Sequence, residues 1–376
     1  MTKALYPLSA DPFHYGHLST IKTALSSGLF NEVIVGIGVN PEKKNKYLFS
    51  LEERVALAQK SCHCLKNVRV EPFEGMMAHE AIKRGTSVIL RSARTAQDFA
   101  YEQVLAEVNK HYGLVTVILP AQNDYATVSS SVVKAIVQEG GLCHDYVNPA
   151  VKHALEEKLR DITLIGVTGN TGSGKTTVSK ELVAYGTQQN LNITHFDCDA
   201  IVHQIYDQNT HYPQAREHII ARFGTSILNG DAINRKILAH IVFSDTQAAQ
   251  DLSNILKKPG RIALEQAVRN TKGILLVDAA YLVEENILPL INYNVLLVTC
   301  DTETRKKRIL ERDHIDTATF EQRTARQLPQ EELKKQIQAQ QAREQYGLFV
   351  ECDSLQKNIP VLLEQLKKCT SAYICR

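Results

Sequence analysis

Asp161-Ile-Thr-Leu-Ile-Gly-Val-Thr-Gly-Asn-Thr-Gly-Ser-Gly-Lys-Thr176 is the stretch that decides how this chain folds. Its first half is a nearly unbroken apolar run of strand length, which suits a strand covered on both faces in a parallel sheet. Its second half has the spacing G-x-x-x-x-G-K-[ST], a loop whose glycines free backbone N–H groups to ring a phosphate. Gly169, Asn170, Thr171, Gly172, Ser173, Gly174 and Thr177 are therefore ATP-binding candidates. Lys175 is placed to reach the β- and γ-phosphates, and the Thr176 hydroxyl is the expected Mg2+ ligand. The loop alone does not separate a kinase from another nucleotide hydrolase.

Downstream, an α/β rhythm continues. Strands are expected over 162–167, 193–197, 273–278 and 295–300, with a mainly helical insert over 206–270. Asp197-Cys-Asp199 closes the second of these strands, where a carboxylate faces the phosphate crevice. Asp199 reads as a proton acceptor for an attacking hydroxyl, as a carboxylate that helps position Mg2+, or as a helix N-cap. The polar stretch 302–345 is a solvated helical hairpin or a lid, and 355–368 is amphipathic.

Upstream, strands are expected over 3–8, 32–39, 67–72, 87–90 and 114–119, alternating with helices over 16–27, 51–61, 77–84, 98–111 and 130–138. Ser50-Leu-Glu-Glu53 reads as a capping box. A further helix starts at Asn148-Pro149 and runs to Arg160, and the domain boundary is placed near 160 with no flexible linker. The fold class expected is α/β with two domains, 1–160 and 161–376, each a parallel doubly wound sheet. In such sheets ligands gather at the carboxyl ends of the strands. His14-Tyr-Gly16-His17, Pro41-Glu-Lys43-Lys44, Arg91-Ser-Ala-Arg94 and Ser129-Ser130-Ser131 all fall there. A glycine and a helix N-terminus beside two histidines suit a triphosphate.

The motif at 14–17 resembles the (H/T)xGH signature of nucleotidylyltransferases. Residues 1–160 resemble phosphopantetheine adenylyltransferase through Tyr6-Pro7, Asp11-Pro12, Gly16-His17, Pro41–Lys44, Leu51–Ala58, Arg91 to Glu102 and Ser129–Ser131. The resemblance implies that His17, Lys43 and Arg94 are catalytic and that Ser9, Lys43, Met77 and Arg91 hold the acceptor. By the same likeness His14, Gly16, His17, Arg94, Glu102, Ser129, Ser130 and Ser131 serve ATP. The chain departs from the family at Leu8-Ser9, His14, Ser92 and Tyr125.

Residues 162–370 resemble dephospho-coenzyme A kinase through the phosphate loop, Asp197–Val202, Asn234-Arg235, Leu282-Val-Glu284 and the arginine run from Thr302 to Asp313. That likeness implies Lys175 and Asp199 as catalytic, with Arg308, Arg312 and Arg326 closing on ATP. Lys258-Pro259 and Ala280-Tyr281 depart from the family. Together the two likenesses imply a bifunctional enzyme that turns 4′-phosphopantetheine into dephospho-coenzyme A and then coenzyme A, with ATP as co-substrate and Mg2+. Two other readings stand beside it: a nicotinamide mononucleotide adenylyltransferase joined to a ribosylnicotinamide kinase, and a nucleotide-binding protein with one degenerate half.

A net charge of +2 leaves no broad basic footprint for nucleic acid or an acidic membrane. No apolar run nears the roughly 20 residues of a membrane span. The eight cysteines lack zinc spacing and read as reduced thiols, so the expected compartment is the cytoplasm. The partners expected are small molecules, with a homo-oligomer through the first domain allowed.

Overall fold

A computed structural model describes residues 2–40, 46–121, 123–207, 210–325 and 327–369. Lys43, Lys44 and Arg326 lie outside the described residues. The described residues divide into two compact units, one holding residues to Glu139 with Cys143–Leu159, the other Gly140–Leu142 and residues 160–369.

The first unit alternates strand and helix in chain order: β1 (Lys3–Leu8), α1 (Tyr15–Ser26), β2 (Glu32–Ile37), α2 (Leu51–Ser61), β3 (Val68–Pro72), α3 (Met77–Lys83), β4 (Val88–Ala93), α4 (Ala96–Lys110), β5 (Val115–Pro120), α5 (Ser130–Gln138) and α6 (Pro149–Arg160). The sheet order is β3-β2-β1-β4-β5, parallel throughout. The central strand is buried on both faces: Ala4 and Tyr6 enter one core with Phe13 and Val35, and Leu5 enters another with Ile34 and Ile89. The larger aliphatic and phenyl side chains among them contribute roughly 1.5–3 kcal/mol each on burial. The expected capping box forms, with Ser50 accepting from the Glu53 N–H and Glu53 from the Ser50 N–H.

One boundary corrects the sequence expectation in a way that matters. β4 runs to Ala93, and Arg91 pairs in register with Ile118 of β5. Arg91 and Ser92 are thus strand residues rather than loop residues, because the ladder to β5 carries the backbone past the apolar run that ends at Leu90. Arg94 alone of the pair stands beyond the strand.

The second unit holds β6 (Ile162–Thr168), α7 (Lys175–Gln188), β7 (Ile193–Asp197), α8 (Cys198–Tyr206), α9 (Pro213–Phe223), β8 (Leu228–Asn229), β9 (Ala232–Ile233), α10 (Arg235–Ser244), α11 (Thr246–Asn270), β10 (Gly273–Asp278), β11 (Val295–Thr299), α12 (Thr302–Asp313), α13 (Thr317–Thr324), α14 (Gln330–Glu344), β12 (Phe349–Asp353) and α15 (Ile359–Lys367). The main sheet runs β12-β11-β6-β10-β7, again all parallel. Leu164 packs into one core layer, Ile165 and Val167 into the other.

Three features go beyond the expected plan. A fifth strand, β12, forms the sheet edge; it alternates buried Val350 and Cys352 with exposed Glu351 and Asp353, so no apolar run marks it. The helical insert carries the short antiparallel β8–β9 pair. The polar stretch after β11 is three helices, and α14 buries Leu333 and Ile337 in the core, so it is not a purely solvated hairpin.

Candidate functional site

The first crevice, of about 600 Å3, opens at the carboxyl end of the first sheet. Its wall includes Ser9, His14, His17, Met77, Arg91 and Arg94. Gly16 and the run Ser129–Ser131 also line it, as do the departures Leu8, Ser92 and Tyr125. Glu102 stands behind the wall and binds Arg91 through two contacts, Nε to Oε2 at 2.6 Å and Nη2 to Oε1 at 2.5 Å. Arg91 Nη1 also donates to the Pro7 carbonyl at 3.1 Å. Glu102 therefore sets Arg91 on its strand and does not itself face the space. Arg94 is freer, half exposed, with a 3.3 Å contact to Asp98.

The two histidines form one unit. His14 is the N-cap of α1 and accepts the Gly16 N–H at Nδ1, while the His14 N–H donates to His17 Nδ1. Their rings stack 3.7 Å apart. A Cβ on Gly16 would come 2.9 Å from the His14 ring, so glycine is what lets that ring lie over the helix start. With both Nδ1 atoms accepting, each neutral ring carries its proton on Nε2. Burial pushes the His14 pKa down to about 4, with the charge of Arg94 adding to it. Burial, then His14 and Arg94, holds His17 well below the usual histidine value. Both rings are thus neutral N–H donors at pH 7. Across the crevice Ser129 caps α5 by accepting from the Val132 N–H, and Ser130 Oγ donates to the Pro12 carbonyl.

The second crevice, of about 290 Å3, follows β6 and is lined by Gly172, Lys175, Thr176, Arg308, Arg312 and Lys357. Gly174 and Thr177 also line it. Four cationic side chains on one small wall suit a polyphosphate. Gly169 has φ +142°, and a Cβ there would meet the Val298 carbonyl at 2.1 Å. Lys175 Nζ donates to the Gly169 carbonyl at 2.9 Å, which gathers the loop around its own lysine. Asn170 and Thr171 bond Leu328 and Gln327, each at 2.9 Å. Buried Ser173 sits in the loop between them and α7. Arg308 Nη1 spans the Gly172 and Ser173 carbonyls and Ser354 Oγ. Arg312 pairs with Asp313.

The N-cap of α8 is Asp197, which accepts from the Asp199 and Ala200 N–H groups. That leaves the Asp199 carboxylate uncommitted to capping. It stands outside the 290 Å3 cavity but close enough to Lys175 to interact electrostatically. Burial, then the Asp197 charge, raises its pKa above the ordinary carboxylate value. Burial lowers the Lys175 pKa, against the pull of Asp278 and Asp199.

Sequence reasoning missed Asp278. It ends β10, accepts the Thr176 hydroxyl at 2.9 Å and contacts His195 Nε2 at 3.2 Å. The signal was available, since Ile274-Leu-Leu-Val-Asp278 is an apolar strand closing on a carboxylate beside the phosphate loop. Gln327, Ser354 and Lys357 carried no comparable mark. Thr176 and Asp278 offer a hydroxyl and a carboxylate, the hard oxygens that Mg2+ takes when phosphates and water complete its shell. No cluster of three or more metal-binding side chains occurs among the described residues. No helix among them is long and apolar enough to cross a membrane.

Comparison with known proteins matches the two halves of the chain separately. Residues 163–341 match the dephospho-CoA kinase family, and residues 5–136 match the cytidylyltransferase-like family. The phosphopantetheine adenylyltransferase of Pseudarthrobacter chlorophenolicus is 41% identical over 157 residues, covering 41% of this chain and 92% of that protein. That of Thermotoga neapolitana is 40% identical over 160 residues, covering 42% of this chain and 97% of that protein. Among solved structures, TT1252 from Thermus thermophilus aligns with TM-score 0.40 and 24% identity over 56% of this chain and 95% of its own. NadR in complex with NAD and AMP-PNP aligns with TM-score 0.33 and 13% identity over 99% of this chain and 96% of its own. Neither structural likeness is close enough to bear on function.

Proposed function

The chain belongs to the phosphopantetheine adenylyltransferase family through its first half and carries a dephospho-CoA kinase domain in its second, and we propose on that basis how its two crevices divide the work. It is a transferase of the last two steps of coenzyme A biosynthesis, with ATP as co-substrate. We assign the first step to residues 1–160 and the second to residues 161–376.

In the first step a phosphate oxygen of 4′-phosphopantetheine attacks the α-phosphorus of ATP, and the bond to the β-phosphate oxygen breaks to release pyrophosphate. His17 and His14 donate Nε2–H to phosphate oxygens, and Arg94 adds positive charge as negative charge gathers there. The Ser129–Ser131 helix start takes ATP oxygens. Arg91, held by Glu102, and Lys43 take the acceptor phosphate, with Ser9 and Met77 beside it. The chemistry asked of the protein is orientation and charge neutralisation, and a pair of preset neutral donors meets it without reorganisation.

In the second step the ribose 3′-hydroxyl of dephospho-coenzyme A attacks the γ-phosphorus, and ADP leaves. Asp199 accepts the hydroxyl proton; its raised pKa makes it a stronger base than an ordinary carboxylate. Lys175, Arg308 and Arg312 steady the transferring phosphoryl oxygens. Thr176 and Asp278 would hold Mg2+, which when bound neutralises charge on the phosphates.

The observation that carries this reading is the pairing of two neutral Nε2–H histidines with a cation- and serine-lined crevice in a unit of adenylyltransferase kinship. Incubation with 4′-phosphopantetheine, ATP and Mg2+, with products identified by mass, tests it. Dephospho-coenzyme A followed by coenzyme A is expected. A chain that ignores 4′-phosphopantetheine, or adenylylates nicotinamide mononucleotide in preference, overturns it.

A further inference from the structure

One hydroxyl in the first crevice has its direction set by the fold. Ser9 follows β1 and lines the space. The Tyr47 hydroxyl donates to Ser9 Oγ at 3.2 Å and accepts the Asn40 N–H at 2.8 Å. A serine hydroxyl has one proton and two acceptor sites. With one acceptor site taken by Tyr47, the Ser9 proton is left to donate elsewhere. The Ser9 carbonyl is engaged too, by Arg54 Nη1 at 2.5 Å, and the same nitrogen reaches the Gly38 carbonyl at 2.7 Å. The Arg54 guanidinium lies over the Tyr47 ring, 4.1 Å from its centroid, and Arg54 is only 1% exposed. Tyr47 is therefore fixed at its ring by a buried cation and at its hydroxyl by two partners. Hydrogen bonds in such a chain polarise one another, so Ser9 is a stronger donor for accepting from Tyr47.

We propose that Tyr47 is a positioning residue that turns Ser9 into a donor aimed into the crevice, where it takes the terminal phosphate of the acceptor and holds it in line for attack. This rests on the reading of the first crevice as an adenylyltransferase acceptor site. Tyr47 touches no substrate in this scheme; it acts through Ser9. A structural role alone would disturb ATP and acceptor alike, whereas positioning of one donor acts on the phosphate end of one substrate.

The test uses the full chain and four forms: wild type, Tyr47→Phe, Ser9→Ala and the double variant. Initial rates of adenylylation are measured over ranges of 4′-phosphopantetheine and of ATP, and phosphorylation of dephospho-coenzyme A is measured as a control. Phe keeps the ring under Arg54, so folding is expected to survive, and an unchanged kinase rate and thermal midpoint confirm it. Tyr47→Phe is expected to raise KM for 4′-phosphopantetheine about tenfold, the worth of one hydrogen bond to a charged group, while kcat and KM for ATP change less than twofold. The double variant is expected to be no worse than Ser9→Ala, since both remove one interaction. Effects that multiply, a matching rise in KM for ATP, or an indifferent Tyr47→Phe in an active enzyme each overturn this proposal alone. A wild-type chain inert toward 4′-phosphopantetheine overturns the parent reading with it.

Discussion

His14 and His17 show how much chemistry two side chains settle once their backbone is fixed. Each Nδ1 is spent on an N–H at the start of α1, so each Nε2 proton is preset. His17→Ala is expected to cut the adenylyl step by about 10²–10³ in kcat while leaving dephospho-coenzyme A phosphorylation intact, which separate rate assays of the two steps will show. The same pair sets a pH dependence of stability. An unfolded histidine takes up a proton near 6.5, and folded His14 does so only near 4. Between those values the unfolded chain binds more protons, so stability falls as pH drops from about 6.5 towards 4 and is unaffected by His14 above that window. Denaturant titrations at a series of pH values will show the slope, and His14→Gln should reduce it, with His17 supplying the remainder. The sequence displayed both histidines but not the capping box that joins them, because a capping geometry depends on where the helix begins to within one residue. Arg91 was misplaced for a related reason: strand pairing, not side-chain pattern, decides that it lies on β4.

At the scale of elements, the phosphate loop was legible in full, since its glycines, lysine and flanking strand and helix are a local pattern. Gln327 was not, because the segment before α14 meets the loop only through the tertiary fold; Asp278 was marked by the apolar strand it closes, but its pairing with Thr176 was not. Lys175→Ala is expected to abolish phosphorylation of dephospho-coenzyme A and spare the adenylyl step; loss of both would contradict independent sites. Asp278→Asn keeps a hydrogen-bond acceptor for Thr176 but removes a charge, so a rise in the Mg2+ concentration needed for half-maximal kinase rate is expected, read from a magnesium titration. Gly169→Ala addresses the loop itself. A Cβ 2.1 Å from the Val298 carbonyl forces the backbone apart, and a loss of roughly 3 kcal/mol in the second unit is expected by chemical denaturation. The edge strand β12 escaped notice because only alternate residues are buried, and Glu351 and Asp353 mask the rest.

For the whole molecule, alternation of apolar runs and helical stretches was enough to give two parallel sheets, since only crossover connections join parallel strands. Whether dephospho-coenzyme A leaves between steps is a separate matter, and two full-length variants can decide it. His17→Ala and Lys175→Ala chains, mixed with 4′-phosphopantetheine, ATP and Mg2+, are expected to make coenzyme A together after a lag, because the intermediate must cross from one molecule to another. Wild type should show a shorter lag at equal site concentration if the intermediate is handed on within one chain; equal lags would mean free release.

The order of strands along the chain also sets a schedule. The first sheet is complete once Pro120 has been synthesised, whereas β6, the centre of the second, waits about a hundred residues for β10 and longer still for β11 and β12. At ribosomal speeds of about 5–20 residues per second, that is a wait of roughly 5–20 s between β6 and its first neighbour. During it, the apolar stretch Ile162–Thr168 hangs from a nascent chain whose first sheet is already whole. Protease resistance on the ribosome should therefore arrive in two separate steps, and the interval between them is when this polypeptide most needs a chaperone.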